Sequence, residues 1–248
     1  MPKGGKSVLA IPTYNERESV GILLPLIKKL YPSLTILIVD DNSPDGTGEE
    51  IKNLQAQYQG IILLSRPSKI GLASAYLAAF QTLLQDPTVQ CVITMDADFS
   101  HDPEAITSFL EEINRGNDVV IGSRYAAHGR TENWNWKRRM LSKYANIYAR
   151  TITGLPIHDL TTGFVAYRRN ILEQIVTNGF SHEGYAFQIE AKWLAHARGA
   201  RIVEIPIIFR ERQNGVSKMS GEIMMEGIVA PWRLRFRKKL ESKLQLNA

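Results

Sequence analysis

A chain of 248 residues with 44% hydrophobic and 22% charged side chains can bury one large α/β core. Its one cysteine, Cys91, excludes a disulfide framework or a multi-cysteine zinc site and reads as the buried reduced thiol of a cytosolic protein. Net charge is +5, residues 1–6 carry no signal-peptide pattern, and no apolar stretch approaches the roughly 20 residues that span a bilayer. The expectation is therefore a soluble or peripheral protein.

Strand and helix patterns alternate through the first half. Residues 7–11 read as a strand and 17–30 as a helix whose Pro25 should shift or kink its start. A strand at 35–39, a helix at 46–58, a strand at 61–64 and an Ala-rich helix at 72–84 come next. Then come a strand at 89–95, a helix at 103–115 opening on Pro103, and a strand at 118–121. Such alternation with short links implies right-handed crossovers and a mostly parallel central sheet flanked by helices. Ligands of such sheets bind beyond the carboxyl ends of the strands.

The second half is less regular. Residues 122–136 read as a polar loop with two tryptophans, and 137–152 as a helix. A short strand at 163–167, two helices and a strand at 202–209 come after it, then a polar segment, 213–220, around Gly215. From Met219 onward the chain is amphipathic, interrupted by Gly227 and Pro231. Arg233, Arg235, Arg237, Lys238, Lys239 and Lys243 make that tail basic, and Lys137, Arg138, Arg139 and Lys143 form a second cluster. Basic groups beside Trp and Phe suit an anionic membrane surface; charge alone fits a solvated helix face equally well.

Three polar stretches fall at predicted strand ends. Asp96-Ala97-Asp98 closes the fourth strand, and two acids spaced i, i+2 there can converge on one hard cation such as Mg²⁺ or Mn²⁺. Asp40-Asp41 closes the second strand, where Asp41 can read a base or sugar donor. Pro12-Thr13-Tyr14-Asn15-Glu16 turns out of the first strand with an aromatic face for a base, although a plain turn with Asn15 capping the helix explains it too. Gly122-Ser123-Arg124-Tyr125 puts a guanidinium at the same edge, and Arg212 and Lys218 flank Gly215 as a basic loop suited to phosphates. Each basic residue by itself reads as surface charge; their convergence on one sheet edge is what points to a nucleotide-diphosphate site.

These stretches, with Ser43-Pro44-Asp45-Gly46-Thr47 and Gly215-Val216-Ser217-Lys218-Met219, resemble the dolichyl- or polyprenyl-phosphate mannosyltransferases of glycosyltransferase family 2, over nearly the whole chain. The resemblance implies an α/β GT-A fold, with residues 1–218 as catalytic domain and 219–248 as a basic amphipathic extension. It places Pro12, Tyr14, Glu16, Val39 and Asp41 at the guanosine of GDP-mannose, and Ala97 against the donor. Asp96, Asp98 and Ser100 would surround a divalent cation, Arg124, Arg212 and Lys218 would meet phosphate and sugar, and Arg138 and Ser142 would sit near the acceptor phosphate. The implied reaction is inverting transfer of mannose to a dolichyl or polyprenyl phosphate, giving a β-linked product, by a cytoplasmic protein peripheral on the cytoplasmic membrane face and without a nucleic-acid partner. A phosphate acceptor is already anionic near neutral pH, its second pKa being about 6, so no catalytic histidine is required. The sequence departs from the family at His128-Gly129-Arg130, at Val165 and at Ser100, and it has no C-terminal membrane-spanning helices. Two other readings stand beside this one: a different donor such as UDP-glucose, and a non-catalytic membrane-associated binding subunit.

Overall fold

The computed structural model describes residues 5–181, 184, 186–211 and 221–245. The strands are β1 (Lys6–Thr13), β2 (Thr35–Asp40), β3 (Ile61–Ser65), β4 (Val89–Thr94), β5 (Val119–Ser123), β6 (Arg130–Glu132), β7 (Val165–Arg168), β8 (Ile202–Pro206) and β9 (Ile208–Arg210). The helices are α1 (Arg17–Leu30), α2 (Thr47–Gln57), α3 (Leu72–Leu84), α4 (Ile106–Asn114), α5 (Trp136–Thr153), α6 (Arg169–Asn178), α7 (Phe187–Ala197) and α8 (Gly221–Gln245). Seven strands form one sheet in the order β3-β2-β1-β4-β7-β5-β8, in which β7 alone runs antiparallel. The α/β class and the mostly parallel sheet match the expectation, with β7 inserted between the fourth and fifth strands.

Both faces of the sheet are covered, so its strands read as near-continuous apolar runs. Along each strand the pleat sends alternate residues to opposite faces. Leu9, Ile11, Ile38 and Ile93 join Leu23 and Leu24 of α1, Ile51 of α2 and Phe109 of α4 in one core layer. Val8, Ala10, Leu37 and Val92 join Tyr76 and Phe80 of α3, Leu172 of α6 and Trp193 of α7 in the other. Cys91 is fully buried, and burial pushes its thiol up to about 12, so it stays protonated and inert.

Several local expectations are corrected. Pro25 does not displace the start of α1, which runs unbroken from Arg17 to Leu30 with the proline inside it. Pro231 likewise lies inside α8, which continues through Gly227 as well. In both helices the residue four positions before the proline is glycine (Gly21, Gly227). The polar loop at 122–136 contains β6, and the strand expected over 202–209 divides at Ile207 into β8 and β9. β9 leaves the main sheet to pair in parallel with β6, forming a small second sheet. Pro103 opens a single 3₁₀ turn capped by Asp102 before α4 begins at Ile106.

The C-terminal helix is docked on the body. Ala230 and Leu234 are buried, Trp232 Nε1 donates to Tyr148 Oη at 2.8 Å, and Arg235 Nη1 donates to Ile152 O at 2.9 Å. Among the described residues no helix is long and apolar enough to cross a membrane.

Candidate active site

Side chains of the turn after β2 satisfy the backbone of the turn after β1. Ser43 Oγ accepts from Asn15 N, Thr47 Oγ1 from Glu16 N, and Asp45 Oδ2 from Arg17 N, all at 3.0–3.1 Å. The first turn of α1 is therefore capped from the neighbouring turn rather than by Asn15, which holds φ 58° in the left-handed region. Asp40 is spent on structure: its carboxylate accepts from Thr13 Oγ1 and from Ser43 N and Oγ. Asp41 faces elsewhere. Its Oδ1 lies 3.0 Å from Arg66 Nε, both side chains being over nine-tenths buried, without an aligned hydrogen bond. Arg66 Nη1 and Nη2 are also buried without a hydrogen-bond partner among the described residues. Burial raises the Asp41 carboxyl, Arg66 opposes this, the adjacent Asp40 adds to it, and the net shift is upward. Beside this pair, the Lys69 ammonium stands 4.3 Å from the centroid of the Tyr14 ring.

At the end of β4 the chain makes a tight acidic turn. Asp98 is 5% exposed and its Oδ1 accepts from Ser100 N at 3.1 Å; Phe99 between them has φ 60°. A positive φ on a bulky residue is a true outlier, and such strain collects at functional sites. Ser100 is fully buried and its hydroxyl has no partner among the described residues. Asp96 is half-buried, and Gly163, entering β7, lies against it: a Cβ there would stand 3.7 Å from Asp96 Oδ1 and 3.4 Å from Gln188 Nε2. His101 accepts from Asp96 N through Nδ1 and packs its ring on Phe164 and Phe209, a structural position.

At the end of β5, Arg124 is 8% exposed and forked by the fully buried Asp159 through Nε and Nη2, each at 2.7 Å. Asp159 Oδ2 also accepts Arg124 N, and Thr161 Oγ1 accepts the same Nη2. Burial alone would raise the Asp159 carboxyl, but the Arg124 charge and hydrogen bonds, with Lys192 behind them, hold it below the ordinary range. Tyr125 Oη donates to Ser142 Oγ on α5 at 2.7 Å, and Asn146 of α5 binds both Ser142 O and Thr161 Oγ1. Arg138, at the start of α5, lies 4.4 Å from the Trp134 ring centroid and pairs with Glu211 at 2.9 Å. Trp134 is thus an internal wall, 8% exposed, whereas Trp136 is 70% exposed.

Across the strand order the groups form a row along one sheet edge: Arg66 after β3, Asp41 after β2, Pro12 and Tyr14 at β1, Asp96 and Asp98 after β4, Gly163 at β7, Arg124 after β5. Val39 and Ala97 are buried there, Val39 with its side chain in the core and its carbonyl accepting from Thr13 Oγ1. Glu16 at this edge accepts from Ser19 Oγ. Arg212 and Lys218 lie outside the described residues. Arg66, Asp159 and Gln188 at this edge are not among the residues the sequence singles out; for Arg66 the available signal is a charged residue directly after β3, whose sheet neighbour β2 ends in Asp40-Asp41. Among the described residues no group of three His, Cys, Asp or Glu is clustered to hold a metal.

Residues 8–176 match the family model described as glycosyl transferase family 2. Over 235 residues the chain is 43% identical to a polyprenol monophosphomannose synthase of Mycolicibacterium smegmatis, covering 94% of this chain and 88% of that one. The chain belongs to glycosyl transferase family 2, among the polyprenyl-phosphate mannosyltransferases. An undecaprenyl-phosphate mannosyltransferase of Micrococcus luteus is 41% identical over 219 residues, covering 88% of this chain and 89% of the relative. In fold, this family 2 glycosyltransferase is similar to a glucosyl-3-phosphoglycerate synthase of Mycobacterium tuberculosis crystallised with Mn²⁺, UDP-glucose and phosphoglyceric acid. The TM-score is 0.73 at 15% identity, with 94% of this chain and 80% of that one covered.

Proposed function

We propose that this enzyme transfers mannose from GDP-mannose to a dolichyl or other polyprenyl phosphate, with inversion and with a divalent cation bound at Asp96 and Asp98. The observation that carries this reading is the row along one sheet edge, which runs from the buried Asp41–Arg66 pair to an acidic turn and then to a buried arginine. Asp41 Oδ1 and the two Arg66 nitrogens, buried and lacking hydrogen-bond partners among the described residues, present an acceptor beside donors. A base with an N–H next to a carbonyl, as guanine has, completes that pattern, with Tyr14, Pro12 and the Val39 main chain around it. Uracil carries the same N–H and carbonyl edge, which is why the donor panel below includes UDP-glucose.

The acidic turn fits a hard cation. Asp96, the buried Asp98 and the orphaned Ser100 hydroxyl supply oxygen ligands only, and the absence of a third clustered acid among the described residues leaves positions for diphosphate oxygens and water. When bound, the cation would neutralise charge on the departing diphosphate. Arg124, Arg212 and Lys218 add positive charge to the phosphate and sugar, and Arg138 with Ser142 orients the acceptor phosphate. The acceptor oxygen attacks the anomeric carbon as GDP leaves from the opposite face, which inverts the centre. The acceptor brings its own negative charge, so the protein orients and compensates rather than removing a proton.

A lipid acceptor requires a membrane face. On α5, Trp136, Leu141, Tyr144 and Ile147 are exposed beside Lys137, Arg139 and Lys143; on the packed α8, Met225, Ile228, Trp232 and Phe236 are exposed beside Arg233 and Arg235. Apolar groups ringed by cations suit an anionic bilayer surface, here on the cytoplasmic side of the membrane. Trp134, buried against Arg138, takes no part in it. The test is a panel of radiolabelled sugar nucleotides with a short prenyl phosphate, with Mg²⁺, with Mn²⁺ and with chelator. Mannosyl lipid formed from GDP-mannose only when metal is present is the expected result. Glucosyl lipid from UDP-glucose would replace the donor assignment, and no turnover with any donor would leave a binding subunit.

A further inference from the structure

Lys192 lies in the middle of α7 with no exposed surface. Its ammonium donates to three main-chain carbonyls: Leu160 O at 3.1 Å, Thr162 O at 2.8 Å and Gln188 O at 3.2 Å. Three N–H groups meet three acceptors, which satisfies the charged form completely. Leu160 and Thr162 flank Thr161, whose hydroxyl holds Arg124 and Asn146. The next residue, Gly163, lies against the Asp96 carboxylate, and its carbonyl accepts from Thr94 Oγ1 at 2.6 Å. One buried side chain thus ties down the segment that joins the arginine end of the site to its acidic end.

We propose that Lys192 is a positioning residue for sugar transfer, its ammonium holding residues 160–163 so that Arg124 and Asp96 keep their mutual placement. This rests on the assignment of sugar transfer and adds to it a residue that no sequence motif marks.

The charges facing Lys192 are Asp159 and Glu204, which favour its proton, and Arg124, which opposes it. Burial outweighs them and pulls the ammonium down from 10.5 to about 7. Above that pH the neutral amine has two N–H groups for three carbonyls, and the clamp loosens. Activity should therefore fall as pH rises through the neutral range. Stability should also change there: between about 7 and 10.5 the unfolded chain holds a proton that the folded chain has lost, so by the linkage relation this group makes folding stronger with rising pH only where the unfolded state binds more protons. The penalty for burying the charged form is complete below about 7 and is relieved as pH rises toward 10.5, so across that window stability rises while activity falls. A lysine with only a structural part gives no such opposition.

Lys28 supplies a control. Its ammonium also binds main-chain carbonyls, Pro32 O at 2.7 Å and Leu34 O at 2.9 Å, and burial also lowers it, but it sits before β2 at the far edge of the sheet. The experiment uses the full chain as wild type, Lys192→Met, Lys192→Gln and Lys28→Met, measuring kcat and KM for the donor from pH 6 to 9 beside thermal unfolding. Displacements of about 1 Å at a transfer site cost up to about a hundredfold, so Lys192→Met is expected to lose about tenfold or more in kcat, with KM changed much less. Its alkaline decline in kcat should be absent, while the acid limb set by the acceptor phosphate stays in every variant. Lys192→Gln, which keeps two N–H groups and cannot titrate, should recover part of the rate with the same flat alkaline side. Lys28→Met should change unfolding only. Wild-type kcat in Lys192→Met, an alkaline decline that survives in it, or failure of both Lys192 variants to fold would each overturn the proposal. A wild type that transfers no sugar overturns the transfer assignment instead, which the ratio between variants does not address.

Discussion

Replacing Asp159 by Asn tests whether the Arg124 fork is a keystone of the site. The substitution keeps shape and one carbonyl acceptor but removes the charge that meets Arg124 Nε and Nη2 at 2.7 Å in a position with no exposed surface. Breaking a buried pair by neutralising one partner leaves the other charge uncompensated and costs about 3–5 kcal/mol. For a chain of this size each kcal/mol moves the midpoint by about 2–4 °C, so Asp159→Asn should unfold about 6–20 °C below wild type by circular dichroism. The Asp159 carboxyl is held below its ordinary value of 3.8, so its stabilisation is fully present above that value and is lost only as pH falls through the lower, folded value. The gap between variant and wild type should therefore be the same at pH 7 and pH 5 and should close only in stronger acid. A loss under about 1 kcal/mol at pH 7, or a gap that already shrinks between pH 7 and pH 5, would refute the assignment of a desolvated, tightly coupled pair.

Asp98→Ala, at a residue 5% exposed beside the Ser100 turn, should leave the fold intact and reduce transfer by at least about a hundredfold; near-wild-type turnover with Mg²⁺ or Mn²⁺ would remove the metal assignment. Arg66→Met should raise KM for the donor about tenfold with kcat little changed, since it deletes the donors beside Asp41. An unchanged KM would place the base elsewhere. Because Leu234 of α8 belongs to the core, the membrane contact is better probed by Trp232→Glu with Phe236→Glu than by deleting the tail. Recovery on anionic vesicles in flotation should fall roughly tenfold, and equal recovery would dismiss α8 from the contact.

The elements in the first half of the chain were legible because a doubly covered parallel sheet leaves long apolar runs separated by polar turns, and those turns fall where ligands bind. Asp96, Asp98, Asp41 and Tyr14 could be singled out on that ground, and their motifs carried the resemblance to the polyprenyl-phosphate mannosyltransferases. The errors have a common origin. A proline lies inside α1 and α8 because each helix is held by its buried face, Leu23, Leu24 and Ile27 in α1 and Ala230 and Leu234 in α8, and that packing is not written in local propensity. The run 202–209 looks like one strand because both of its halves are apolar and extended; only pairing partners divide it, β8 with β5 and β9 with β6.

Sequence by itself therefore determined the class of fold and the sheet edge at which the candidate acids and tyrosine fall, because these depend on local pattern and on the residues at the end of each strand. Tertiary structure alone decided which charges are partnered. It turned Asp40 to the turn and Asp41 to Arg66, closed Arg124 on Asp159, buried Trp134 while exposing Trp136, and set Lys192 beneath residues 160–162. The ion pairs among these join residues 25 to 35 positions apart, across crossovers whose geometry no local pattern encodes. Burial, which sets what each charge is worth, exists only once the layers have closed.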